Sequence, residues 1–232
     1  MLPPAVRIVR RTTELMGEEL LQPTSQFVKA QGINHHYLDW GNPTAPPLLL
    51  LHAVGLCAST WNRAARSLSA DFHVMCFDQR GHGDTESTDQ NLTFHQMGED
   101  LAEVIRLMGF EGVDTVGHSL GGMATMIADS LQPGIIGRSV LIESRVGPPP
   151  ASAPSQDLQE RARRARLKRS IWESREAMYE AYRNRPVFKN WTEEVFADFI
   201  EGGTRLLPDG RAELKCNPEV EAAFYGQRDG GN

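Results

Sequence analysis

The fold of this chain is decided by the stretch Gly117-His118-Ser119-Leu120-Gly121, which has the pattern G-x-S-x-G. The apolar, β-branched run Val113 to Val116 precedes it, and apolar residues at helical spacing follow it through position 131. Between a strand and a helix, this pattern places a serine on a sharp turn with its oxygen projecting beyond the sheet. The two glycines remove side chains that would collide across the turn, and the helix start favours negative charge at the serine. The motif therefore predicts that Ser119 is a nucleophile.

Short apolar runs alternate with helical segments on both sides of the motif. Continuous apolar runs are typical of strands whose two faces are both buried. Strands joined through helices form a mainly parallel sheet with right-handed crossovers. Two earlier runs joined through Gln31-Gly32 instead predict an antiparallel hairpin. The predicted strands are Gln26 to Lys29, His35 to Trp40, Pro47 to His52, Phe72 to Phe77, Val113 to Val116 and Ser139 to Ile142.

The clearest predicted helix begins at Thr93. The Thr93 hydroxyl is expected to cap it while the Gln96 side chain reaches back, which is the reciprocal capping-box pattern. A second helix is predicted to start with Asn190 and Glu193. The first helix carries its apolar face on Met97, Leu101, Val104, Ile105 and Met108.

A polar N-terminal stretch and a proline-rich segment near residue 150 mark the boundaries between four predicted parts of the chain. We expect an N-terminal extension over 1–24, an α/β core over 25–146, a stiff connector over 147–156, and a cap with the chain end over 157–232. The strand pattern does not resume after the connector. The cap is therefore predicted to be helical.

Composition limits the classes of partner. The formal net charge is -6, so broad attraction to nucleic acid or to an anionic membrane surface is not expected. No apolar run approaches the ~18 residues of a membrane helix and no signal peptide is recognised, so we expect a cytoplasmic protein without membrane contact. Three widely spaced cysteines do not suggest a disulfide framework. The basic run from Arg161 to Arg169 is interpreted as a solvated helix face, with an anion or nucleic-acid surface as the alternative.

Two further motifs accompany the serine turn. His52-Ala53-Val54-Gly55 follows the third predicted strand, and residues 78–83, Asp-Gln-Arg-Gly-His-Gly, follow the fourth. With these three motifs in this order, the chain resembles the α/β-hydrolase family over residues 25 to 145, in its serine esterase and lactonase-like branch with a helical lid. The resemblance implies a mainly parallel sheet with helices on both faces and a cap insertion.

The resemblance also assigns roles at the site. The backbone N–H groups of Val54 and Leu120 would form the oxyanion hole. His52 would fix its loop, as Asp78, Arg80 and His82 would shape theirs, and Gly117, His118 and Gly121 would support the turn. Serine at this position forms an acyl-enzyme, where aspartate in related enzymes forms an alkyl ester. The expected substrate is a small acyl compound, namely a carboxylic ester, lactone or thioester, or a compound with a C–C bond beside a carbonyl.

Neither a cofactor nor a metal is expected. His35 and His36 are adjacent on a predicted strand, so their side chains point to opposite faces and cannot hold one ion together.

The family places its acid and its histidine after the serine, whereas all seven histidines of this chain precede or lie beside it, ending at His118. The resemblance thus implies that the chain lacks the last two strand–helix units, about 60 residues. Glu143 is interpreted either as the acid or as an ordinary strand-end residue. A catalytically silent protein that binds acyl compounds is the alternative function. Without further strands, Ser139 to Ile142 would form an exposed edge that favours association, for example as an edge-to-edge homodimer.

Overall fold

Six strands form the main sheet of the computed structural model, which describes residues 21–86, 91–144 and 156–226. The sheet order is β1-β2-β4-β3-β5-β6. The pairs β3/β4, β3/β5 and β5/β6 are parallel, and β1/β2 and β2/β4 are antiparallel. The strands are β1 Thr24–Ala30, β2 Ile33–Asp39, β3 Pro47–Leu51, β4 His73–Phe77, β5 Val113–His118 and β6 Ile136–Ile142. The predicted connector, except for Gln156, and most of the N-terminal extension lie outside the described residues.

The predicted opening hairpin is confirmed. Ala30 pairs with Ile33, which leaves Gln31 and Gly32 as the two turn residues. Both have positive φ, 48° and 81°. A two-residue turn with positive φ at both positions matches the right-handed twist of the strands, so the sequence Gln-Gly fixes the register of β1 on β2.

Helices cover both faces of the sheet, as predicted. The helices of the core are α1 Asn62–Leu68, α2 Phe94–Leu107 and α3 Leu120–Leu131. Leu49 and Leu51 pack in a cluster with residues of α2 and α3, whereas Leu48 and Leu50 pack on the other face with Ala65 of α1. Successive side chains of a strand point to opposite faces of the sheet. The leucines of β3 therefore pack alternately into the apolar clusters on the two faces.

Helix α2 begins as predicted, with one correction. The Thr93 hydroxyl accepts a hydrogen bond from the Gln96 backbone N–H at 3.0 Å. The Gln96 side chain does not reach back to Thr93, because its amide donates instead to Asp100 at 3.1 Å. Asp100 is a buried carboxylate that also accepts two bonds from Arg80, both at 2.7 Å. The buried carboxylate thus replaces the second half of the capping box.

The cap contains strands as well as helices, so the prediction of a helical cap was incomplete. Its helices are α4 Gln156–Arg166, α5 Arg175–Arg183 and α6 Glu193–Gly202. Three strands form a small antiparallel sheet of order β7-β9-β8, with β7 Ile171–Trp172, β8 Thr204–Leu206 and β9 Ala212–Leu214. Strands of two or three residues are too short to display an alternating pattern. Helix α6 is capped by Thr192, two residues after the predicted start at Asn190.

The last described helix, α7 Pro218–Gly226, contacts the α/β core. Val220 and Phe224 belong to the same apolar cluster as Leu51. A side chain at Gly81 would lie 2.7 Å from the Val220 side chain, so this glycine admits the helix against the loop after β4. The segment predicted as 157–232 therefore does not form one separate unit. Its last helix, α7, packs on the α/β core and also contacts α4.

The cationic residues of the basic run from Arg161 to Arg169 are paired with acidic ones. Arg163 and Arg164 both bond Glu160, and Arg166 reaches Glu219 of α7. Arg161 pairs with Asp157, Lys168 with Glu221 and Arg169 with Glu173. Over the part of the chain that the structure describes, no helix is both long and apolar enough to cross a lipid bilayer.

Candidate active site

Ser119 occupies a strained turn between β5 and α3. Its backbone angles are φ 50° and ψ -104°. A residue other than glycine with positive φ is uncommon, and such strain persists only where the surroundings enforce it. The Ser119 N–H donates to the Ile142 carbonyl of β6 at 2.8 Å, and the Ser119 carbonyl accepts from the Met123 N–H at 3.0 Å. The turn is thereby fastened to the sheet on one side and to the helix on the other.

Glycines bring the strand and the helix close together at this turn. A Cβ added at Gly117 would lie 2.5 Å from the Gly122 nitrogen. One added at Gly121 would lie 2.4 Å from the Leu51 carbonyl oxygen of β3. Both neighbours are backbone atoms that cannot rotate away. The two glycines of the motif are therefore required by sterics, as the sequence pattern predicted.

The loop after β3 lies beside the serine turn. The Gly121 N–H donates to the His52 carbonyl at 3.2 Å, which joins the two segments. Leu120 is the first residue of α3, so its N–H has no partner within the helix. Within the described residues, neither the Val54 nor the Leu120 N–H donates to a backbone acceptor. Two amides without a backbone acceptor in the described part of the chain thus belong to the two segments that meet at Ser119.

His52 and His82 have both ring nitrogens engaged by backbone groups. His52 Nδ1 lies 2.8 Å from the Ala53 carbonyl, and its Nε2 accepts from the Gln79 N–H at 3.1 Å. His82 Nδ1 lies 3.0 Å from the Arg80 carbonyl, and its Nε2 accepts from the Gly55 N–H at 3.0 Å. These partners fit a neutral ring with its proton on Nδ1. All four ring nitrogens of His52 and His82 thus have backbone partners, and none is available to take a proton from Ser119.

Burial favours the neutral state of both histidines. It lowers the pKa of His52 and lowers the pKa of His82 to about 3, because a charged imidazole would lose its hydration. These two neutral rings therefore join the loop after β3 to the loop after β4 through hydrogen bonds.

Asp78 is a buried carboxylate that accepts several hydrogen bonds. Its carboxylate accepts from the Ala58 N–H at 2.7 Å and the Asp84 N–H at 3.0 Å, and it lies 2.6 Å from His36 Nδ1. Burial alone would raise the pKa of Asp78, but the hydrogen bond from His36 and the other donors outweigh it and hold that pKa below its usual value. His36, Asp78 and Asp84 have ligand-type atoms within 4.8 Å of one another. N–H donors already occupy the Asp78 oxygens, and Lys215 bonds Asp84 at 2.6 Å.

Glu143 lies at the end of β6, with positive φ of 50° and a side chain that is 84% exposed. Its carboxylate is 3.8 Å from Nε2 of His118. All seven histidines lie within the described residues, and no hydrogen bond joins any of them to Ser119 there. The structure thus places Glu143 beside His118 at the serine turn, and no histidine of the described residues is hydrogen-bonded to Ser119.

Sequence reasoning missed one ion pair beside the site. Lys168 Nζ contacts both carboxylate oxygens of Glu221 at 2.6 Å. A Cβ at Gly55 would lie 3.0 Å from that carboxylate, so the pair touches the loop after β3. The partners are 53 residues apart in the chain, and no local pattern signals such a contact.

Comparison with known proteins identifies the family of this chain. A family model described as the alpha/beta hydrolase family matches residues 48–223, and the chain belongs to that family. A non-heme chloroperoxidase from Streptomyces lividans is 32% identical over 121 residues, covering 50% of this chain and 42% of that protein. The chain spans about a third to two fifths of the length of the curated relatives it matches.

Solved structures show the same fold. An E-2-(acetamidomethylene)succinate hydrolase has a TM-score of 0.76 at 20% identity, covering 88% of this chain and 74% of the other. A thioesterase domain from the curacin biosynthetic pathway has a TM-score of 0.70 at 20% identity, covering 90% and 76%. At this level of identity the likeness concerns the fold.

Proposed function

We propose that this chain is a serine hydrolase that cleaves a carboxylic ester, lactone or thioester through an acyl-enzyme on Ser119. The observation that carries the proposal is the strained backbone of Ser119 at the junction of β5 and α3. Such strain is kept where it positions a reactive group. Membership of the alpha/beta hydrolase family supports hydrolysis as the reaction class.

In the proposed reaction, Ser119 Oγ attacks the acyl carbonyl carbon and its proton passes to a base. The carbonyl oxygen becomes an oxyanion, to which the N–H groups of Leu120 and Val54 donate. Each such donor is worth about 3 kcal/mol of transition-state stabilisation. The intermediate collapses and expels the alcohol or thiol, which takes up the proton. Water then attacks the acyl-enzyme and releases the acid.

A second candidate follows from the histidines. A serine hydroxyl is a weak nucleophile without an adjacent base, and no histidine of the described structure is hydrogen-bonded to Ser119. The observation favours a protein that binds acyl compounds and does not turn them over. Glu143 is retained as the proposed acid only in the first candidate, where a histidine must connect it to Ser119.

Hydrolysis of p-nitrophenyl butyrate distinguishes the two candidates. The hydrolase proposal predicts turnover that the Ser119→Ala variant loses by at least about 100-fold, since removal of the nucleophile abolishes covalent catalysis. Gly226→Ala is the control, because a Cβ there meets no atom of the described residues within 4 Å. Equal background rates in wild type and Ser119→Ala, with unchanged circular dichroism, would instead support the binding protein.

A further inference from the structure

A small cavity separates the loop after β3 from the cap. It has a volume of about 20 Å³ and lies between Gly55 and Gly83 of the core and Tyr182, Phe199 and Cys216 of the cap segment. A cavity of this size has room for one water-sized group. A single polar atom of a ligand fits the same space.

One of the residues that line this cavity is Tyr182. Tyr182 is 2% exposed, and its hydroxyl has no hydrogen-bond partner among the described residues. Its ring packs edge-on against Trp172 at 5.5 Å and stacks on Phe188 at 5.6 Å, while the Arg185 guanidinium lies 3.8 Å from its centroid. The ring is thus fixed in place. A buried hydroxyl without a protein partner is unfavourable, so this hydroxyl is available to bind a polar atom of a ligand.

The charged groups at the cavity cancel one another. Lys168 and Glu221 both line it and form the ion pair already described, with two contacts of 2.6 Å. Burial raises the pKa of the Cys216 thiol, which therefore stays uncharged. An anionic ligand group would find no unpaired positive charge in this cavity. An uncharged oxygen suits it better, because the Tyr182 hydroxyl and a remaining Lys168 N–H are donors.

The cavity is lined in part by the loop that carries Val54. Gly55, which lines it, follows Val54 directly, and consecutive Cα atoms are about 3.8 Å apart. Gly121 of the serine turn is bonded to His52 of the same loop. We propose that this cavity is a specificity subsite that binds an uncharged carbonyl or hydroxyl oxygen of the acyl group through the Tyr182 hydroxyl. This inference rests on the proposed hydrolase function.

Two esters that differ by one oxygen test the subsite. The substrates are p-nitrophenyl 4-oxopentanoate and p-nitrophenyl pentanoate, compared by kcat/KM. Wild type is expected to prefer the 4-oxo ester by about tenfold, which corresponds to one hydrogen bond in a buried site. Tyr182→Phe removes only the hydroxyl and is expected to bring the ratio to about one. Tyr179→Phe is the matched control. The Tyr179 hydroxyl donates to Glu193, so its removal is expected to leave the ratio of the two kcat/KM values unchanged.

A stability measurement separates a ligand subsite from a structural water site. The Tyr182 hydroxyl has no protein partner within the described residues, so the subsite predicts that Tyr182→Phe leaves the melting temperature unchanged or raises it. A lowered melting temperature with an unchanged substrate ratio would overturn the proposal in favour of a bound water. A wild-type ratio of one would overturn it as well.

A binding assay keeps the subsite distinct from the hydrolase proposal. If wild type hydrolyses neither ester, the proposed function fails, and calorimetry with Ser119→Ala then tests the subsite alone. Tighter binding of methyl 4-oxopentanoate than of methyl pentanoate, lost in Ser119→Ala with Tyr182→Phe, would support it. Equal binding of the two methyl esters would overturn it.

Discussion

Replacing Gly117 by alanine tests the close approach of β5 and α3. The added Cβ would lie 2.5 Å from the Gly122 nitrogen and 2.6 Å from both the Gly121 carbonyl carbon and the Gly122 Cα. Ordinary contacts begin at 3.4 Å, so the strand and the helix must separate by about 0.9 Å. Overpacking against atoms that cannot rotate away costs about 1–3 kcal/mol. We expect Gly117→Ala to lower the free energy of unfolding by an amount near the upper end of this range.

The same displacement moves the proposed nucleophile. A shift of about 1 Å at a catalytic centre costs about 100-fold in rate, because the reacting atoms leave their attack geometry. Chemical denaturation and kcat/KM for p-nitrophenyl butyrate measure the two effects. Gly226→Ala is the matched control, since its Cβ meets no atom of the described residues within 4 Å. If Gly117→Ala were as stable and as active as the control, the steric account of the turn would be wrong.

Three further predictions concern backbone strain, pH dependence and the sheet edge. Because Ser119 has φ 50°, Ser119→Gly should be about 1 kcal/mol more stable than Ser119→Ala by urea denaturation, and equal stability would contradict the strain. Burial raises the pKa of Asp198 to about 6, so its protonated form stabilises the fold at low pH and this stability is lost as pH rises through about 6. Asp198→Asn should therefore stabilise the protein by about 1 kcal/mol at pH 8, a value reduced to allow for the partial exposure of Asp198, and should have little effect at pH 4. Equal effects on stability at the two pH values would refute the raised pKa of Asp198. Strand β6 is at the edge of the described sheet, and its Val140 is 57% exposed, so we propose that the protein self-associates edge to edge. Val140→Lys should reduce this association in sedimentation velocity. A wild-type protein that stays monomeric at all concentrations would exclude it.

Much of the α/β core could be predicted from the sequence because its signals are local. Pro47–Leu51 is an apolar run long enough to identify a strand buried on both faces. The Gln31-Gly32 turn and the cap at Thr93 each depend on residues within four positions of each other. The serine turn was also predictable, since its glycines and its serine lie within five residues.

The missed features depend on contacts between distant segments. Gln96 was expected to complete a capping box, but Asp100 attracts its side chain, and Asp100 is itself held by Arg80 from another loop. The cap sheet pairs strands of two and three residues that are too short to show a pattern. The contact of Glu221 with Lys168 and Gly55 joins three remote parts of the chain. Such contacts are settled by tertiary packing, which the local sequence does not encode.

The central proposal is that Ser119 is the nucleophile. Mass spectrometry after incubation with a fluorophosphonate tests it most directly, with peptide mapping to locate the adduct. The account predicts one adduct per chain, carried by Ser119 and absent from Ser119→Ala. A folded wild-type protein that gains no adduct, or gains it on another residue, would contradict the account.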